Sequence, residues 1–88
     1  MESINEARLL LNDIDEEMKE LFIKRMNIIK EVALYKERNN LPIFDEKREI
    51  EMKERLSKDT KDLQFYYLDF LNIILSLSKK YQKEIIGL

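Results

Sequence analysis

Along the first forty residues apolar side chains recur in alternating steps of three and four: Ile4, Ala7, Leu11, Ile14, Met18, Leu21, then Ile28, Val32 and Tyr35. That spacing is the seam of a helix packed lengthwise against another helix. Ser3-Ile4-Asn5-Glu6 has the form of a capping box, with Ser3 as the cap and Glu6 reaching back. No Gly or Pro then interrupts the chain until Pro42, and Asn39-Asn40-Leu41-Pro42 supplies the stop. The pattern predicts a first helix from about residue 4 to about 38, roughly 50 Å long.

Asp45 follows Pro42-Ile43-Phe44 and can open a second helix that runs to about Leu56. The stretch Ser57 to Asp62 carries turn and cap residues, and a third helix is predicted from about 62 to 86, with Gly87 at its end. Its inward stripe reads Leu68, Leu71, Leu75, Ser78, Gln82 and Ile85. The expected class is therefore all-α, three helices in one domain over residues 1–88. Helices of roughly 18 Å and 37 Å cannot easily cover both ends of a rod of roughly 50 Å. A second copy of the chain could, so a homodimer built on the first helix is expected; a solvent-exposed end of the rod is the alternative.

The seam is broken at one place, Arg25. A guanidinium among apolar neighbours is costly unless it meets an anion. By pattern alone it reads equally well as a buried ion-pair partner or a device that sets helix register. The third helix is broken in the same way, by Ser78 and Gln82 one turn apart. Lys36 lies eleven residues beyond Arg25, close to three turns, so both can face one way about 16 Å apart. In the second helix Asp45, Arg48, Glu49 and Met52 share a face by their spacing. Each has an ordinary reading: Lys36 as a helix-end lysine, Asp45 as a cap, Arg48 and Glu49 as surface charges, Ser78 and Gln82 as solvent-facing residues near a frayed end. Lys47, Arg55, Lys79 and Lys80 are read as surface residues. Together, the inward polar positions suggest a pocket for a small anion.

Composition narrows the chemistry. With no Cys and no His, disulfides, thiolates, imidazole catalysis and the usual zinc or haem ligands are excluded. Net charge is −2 with both signs interspersed, which disfavours a nucleic-acid partner. No apolar run approaches the roughly 20 residues of a membrane span. The first six residues lack the basic and apolar regions of a signal peptide. A soluble cytoplasmic protein is expected.

Taken in order, Ala7-Arg8, Ile14-Asp15-Glu16, Lys24-Arg25, Glu31-Val32, Lys36, Pro42, Asp45, Arg48-Glu49 and Ser78 to Gln82 resemble the all-helical chorismate mutases, small dimeric enzymes of bacteria. The resemblance covers nearly the whole chain. It implies an intertwined six-helix homodimer with shared active sites, and a cofactor-free, metal-free pericyclic rearrangement of the dianion chorismate to prephenate, on the route to phenylalanine and tyrosine. Arg25 is implied to bind one carboxylate of chorismate, and Arg8 to enter from the other subunit for a carboxylate too. Lys36 and Gln82 are implied to donate to the ether oxygen whose bond breaks, with Arg48 holding the ring side. Asp45 and Glu49 would engage the ring hydroxyl, and Ser78 would contact the remaining carboxylate or back up that site. Helical phase agrees for Arg8, which at seventeen residues' remove lies about 100° around the helix from Arg25.

Two positions depart from the family's pattern: Lys79 stands where an apolar contact is common, and Phe44 where a basic residue can occur. Isochorismate–pyruvate lyases share this first helix but tend to lack the carboxylate after the second-helix arginine, so Glu49 favours the mutase. A non-catalytic helical dimerisation module would explain the heptads but not their interruption at Arg25, Ser78 and Gln82.

Overall fold

Ser3 begins the first helix as expected: its Oγ accepts from the Glu6 backbone N–H at 3.1 Å, and α1 then runs unbroken over Ile4–Arg38. The computed structural model describes residues 3–88; Met1 and Glu2, the start of the domain expected over 1–88, lie outside the described residues. The helix ends on Asn40, whose φ of 54° is left-handed. The N–H groups of Asn40 and Leu41 turn back onto the carbonyls of Glu37 and Lys36, a paired closure that Asn tolerates better than most residues. Asn39 adds a side-chain bond to the Tyr35 carbonyl at 2.8 Å.

Asp45 caps α2, Glu46–Ser57, by accepting from the Arg48 N–H at 3.0 Å. The link to the third helix differs from the expectation of a capped start near residue 62. Asp59 and Lys61 both take positive φ, and Lys61–Leu63 form a short 3-10 turn before α3, Gln64–Ile86. Leu63 N–H bonds Thr60 carbonyl at 3.0 Å, so the chain winds into α3 through a tighter turn without a side-chain cap. Gly87, at φ 80°, closes α3 with Leu88 N–H on the Lys83 carbonyl at 2.7 Å. Only a residue without a Cβ takes that angle freely.

The fold is all-α, and the described residues contain no strand. α3 packs along α1 and against α2, burying Ala33, Met52, Leu71 and Leu75, with Leu56 and Tyr67 packed around them. Ala33 belongs to the C-terminal half of α1, whereas Met52, Leu56, Tyr67 and Leu71 also border a groove with Met18, Leu21 and Phe22 of its N-terminal half. On that N-terminal half, Ile4, Leu11, Ile14, Met18 and Leu21 of the seam are all about half exposed or more. The molecule measures 55 × 24 × 15 Å with a radius of gyration of 16.3 Å, against about 12 Å for a compact chain of this length. A bare rod projects beyond a small three-helix core.

Candidate active site

Where the three helices converge, they enclose a cavity of about 320 Å³. The C-terminal half of α1 contributes Arg25, Ile28, Ile29, Val32 and Lys36, which recur at helical spacing and so share a face. From α3 come Leu75, Ser78, Lys79 and Gln82; from α2 and the segment before it come Ile43, Asp45, Arg48, Glu49 and Met52. Seven of the eight sequence-predicted residues therefore line one cavity. The eighth, Arg8, is exposed on the bare half of α1, roughly 25 Å along the helix from Arg25.

Arg25 is half-buried and donates from Nη1 to Ser78 Oγ. Ser78, only 3% exposed, donates its hydroxyl hydrogen bond to the Ile74 carbonyl at 2.8 Å. This chain anchors the guanidinium to the backbone of α3 and holds it at the cavity wall. No carboxylate among the described residues pairs with Arg25, so the ion-pair reading of the seam break finds no partner among them. Burial, and after it the positive charge of Arg48, pushes the Arg25 pKa below its ordinary value. Both effects are strain that an anion would relieve.

Lys36 sits in the last turn of α1 and donates to the Ile43 carbonyl at 2.9 Å. The left-handed closure at Asn40 makes this possible, because it folds the Pro42-Ile43-Phe44 segment back over the helix end. Its ammonium can make three donor contacts, so the backbone bond orients it and leaves others for a ligand. Gln82 is 4% exposed, and its buried Oε1 has no hydrogen-bond partner among the described residues. An orphaned buried amide oxygen costs about 1–3 kcal/mol, which a donor entering the cavity, a water or a ligand group, would offset.

The α2 residues are less committed to the cavity. Asp45 spends one oxygen on its cap. Arg48 lines the cavity but is exposed, and its Nη1 bonds Glu51 Oε2 at 2.5 Å. Glu51 also accepts from Arg55 Nε at 2.7 Å. That bond chiefly, with help from Arg48 and against some desolvation, holds the Glu51 carboxyl below the usual carboxylate range. Glu49 is covered, and Lys79 Nζ reaches its Oε2 at 3.1 Å.

Lys79 corrects the sequence reading. It is not a surface residue but a half-buried part of the cavity wall, with its Nζ 4.8 Å from the centre of the Phe44 ring. A signal existed: Lys79 stands three residues before the inward Gln82, which places the two side by side on one helix face. Lys47, Arg55 and Lys80 are exposed, as expected.

The lining thus holds four cationic side chains and two carboxylates, a formal balance of +2, among apolar walls from Ile28, Ile29, Val32, Ile43, Met52 and Leu75. Such a chamber suits a compact dianion with a hydrocarbon frame. It offers amine, guanidinium, amide and hydroxyl donors but neither thiol nor imidazole. No group of potential metal-ligating side chains occurs among the described residues. No helix among them is long and apolar enough to cross a membrane.

The sequence model of one family, described as chorismate mutase type II, matches residues 7–83. No curated protein and no solved structure gives a match.

Proposed function

Since this chain belongs to the chorismate mutase type II family, we propose that it rearranges chorismate to prephenate, in a cavity completed by a second copy of itself. The observation that carries this reading is the convergence of Arg25, Lys36, Ser78 and Gln82 from two helices onto one chamber, with no carboxylate among the described residues paired to Arg25. A dimerisation helix has no use for such a chamber.

The reaction breaks a C–O bond as a C–C bond forms, within one molecule. Two demands follow. The flexible dianion must be held in the compact shape that brings its reacting carbons together, which is a matter of orientation. Negative charge growing on the ether oxygen must also meet donors that are already in place. Arg25, steadied by Ser78, serves the first demand by fixing a carboxylate. Arg48 joins it by exchanging Glu51 for the ligand, and Asp45 and Glu49 receive the ring hydroxyl. Lys36 and Gln82 serve the second. Only contacts that strengthen in the transition state accelerate the step, and a donor to the ether oxygen does so because the charge there rises.

The bare half of α1 supports the dimer. Full burial of an apolar side chain such as Leu or Ile is worth about 1.5–3 kcal/mol, and the exposed seam offers five such residues. An antiparallel partner would cover that seam and carry its own Arg8 toward this cavity. Arg8 of the partner subunit would then take the second carboxylate of the dianion. We place the activity on the route to phenylalanine and tyrosine and in the cytoplasm.

The test is prephenate formation from chorismate, run beside size-exclusion chromatography. Prephenate from a species twice the chain's mass supports the reading. Release of pyruvate from isochorismate without prephenate would assign the cavity to the lyase instead, and no turnover of either substrate would leave only a helical pairing module.

A further inference from the structure

Lys79 has a place in the cavity wall but no part in the mechanism above. Its Nζ lies 3.1 and 3.3 Å from the two oxygens of Glu49, and the Phe44 ring covers it at 4.8 Å from the centroid. The contacts join α3 to α2 and to the segment that precedes it. Neither side chain is free in solvent: Lys79 is 31% exposed and Glu49 15%.

A carboxylate so covered is costly without a counter-charge. It also faces the same chamber that a dianion must enter, where like charges repel more strongly than in water. With Lys79 in the wall, the formal balance of the lining is +2 and matches a dianion. Without it the balance falls to +1 and Glu49 faces the ligand bare. The two bonds from one ammonium also restrain the Glu49 side chain, and the aromatic face beneath the ammonium keeps it from swinging to water.

We propose that Lys79 is a positioning residue, clamped by Phe44, which holds Glu49 for the ring hydroxyl of the dianion and cancels the repulsion Glu49 would exert on that dianion. The role rests on the mutase reading above and adds to it a group outside the expected set.

The test is a double-mutant cycle on chorismate turnover, using the full chain, with helicity checked by circular dichroism. Lys79→Met raises KM about tenfold, the equivalent of ~1.4 kcal/mol, with a much smaller change in kcat, and Lys79→Arg restores most of the loss. In a Glu49→Gln background the same Lys79→Met change moves KM less than about twofold, because the repulsion it cancelled is gone. A role in packing alone would cost as much in both backgrounds, and that result overturns the proposal, as does an unchanged KM in Lys79→Met. If Lys79→Met loses its helical signal, Lys79→Gln replaces it with the same expected outcomes. A wild-type chain that leaves chorismate untouched overturns the mutase reading and this role with it. A wild-type mutase indifferent to Lys79 overturns the role alone.

Discussion

The two halves of α1 are one helix with one heptad pattern, yet they meet different fates. From Arg25 onward, the helix has α3 along its side, Ala33 is fully buried, and the breaks in the pattern open onto a cavity. From Ile4 to Ile23 the same spacing of apolar residues faces solvent, with Leu21 64% exposed. A heptad seam is a demand for a neighbour, not a statement of which neighbour. The C-terminal half satisfies it in part within the chain, where Val32 and Ala33 are covered while Ile28 and Tyr35 stay more than half exposed, and the N-terminal half leaves most of it open. The interruptions follow the same division. Arg25 is fixed by Ser78 of its own chain, whereas Arg8, on the other half, is exposed and does not line the cavity that holds Arg25.

The sharpest way to break this comparison is a charge in the bare half. Ile14→Asp is expected to abolish the dimer, and with it both turnover and a cooperative thermal transition, because the three-helix core alone buries too few apolar side chains. A monomeric, fully helical and active Ile14→Asp protein would show that the rod needs no neighbour. In the C-terminal half, Lys36→Ala is expected to lower kcat by about 10²–10³ while helicity is unchanged, the usual cost of one donor to a developing oxyanion. A loss confined to KM would instead make Lys36 a ground-state anchor.

Mixing the halves tests their connection. Arg8→Ala and Arg25→Ala chains, each inactive alone, should regain activity when refolded together, since a heterodimer then holds one site with both arginines intact. Failure to recover would confine the site to one chain.

Smaller effects separate local structure from assembly. Ser3→Ala removes the cap on Glu6 N–H and should cost about 1 kcal/mol in thermal unfolding, with turnover unaffected. The weakest expected effect is at Glu51, whose carboxyl Arg55 and Arg48 hold below the usual range. A depressed carboxylate stabilises the fold above its unfolded pKa and loses that contribution as pH falls through the folded value. Glu51→Gln should therefore lower stability slightly at neutral pH and leave it unchanged at low pH, flattening the acid side of the profile; the effect is small because the pair is solvent-exposed. It should also free Arg48, read as a modest fall in KM; an unchanged KM would mean Arg48 is not held back by Glu51.

Local chemistry was legible in the sequence. The capping box at Ser3, the Asn-Asn-Leu-Pro stop, the Asp45 cap and the Gly87 closure all depend on residues within a few positions of one another. The inward stripe of α3 was legible too, since helical phase alone sets Ser78 and Gln82 in line with Leu71 and Leu75. The 3-10 entry into α3 was not, because positive φ at Asp59 and Lys61 follows from how α2 and α3 must meet. Lys79 escaped for a similar reason. Its place in the wall depends on Glu49 and Phe44, thirty and more residues away, and only its three-residue spacing from the inward Gln82 pointed there.

The sequence by itself determined where α1 and α2 begin and end and where α3 stops, which faces are apolar, and that Arg25, Ser78 and Gln82 interrupt those faces. Caps, periodicity and propensity act over a turn or two of chain, so composition and spacing suffice for them. Only the tertiary structure decided that these interruptions share one chamber with Lys36 and Glu49, that Arg25 finds a hydroxyl rather than a carboxylate, and that Lys79 belongs to the wall. Those outcomes depend on burial and on distances between helices, which no single helix contains.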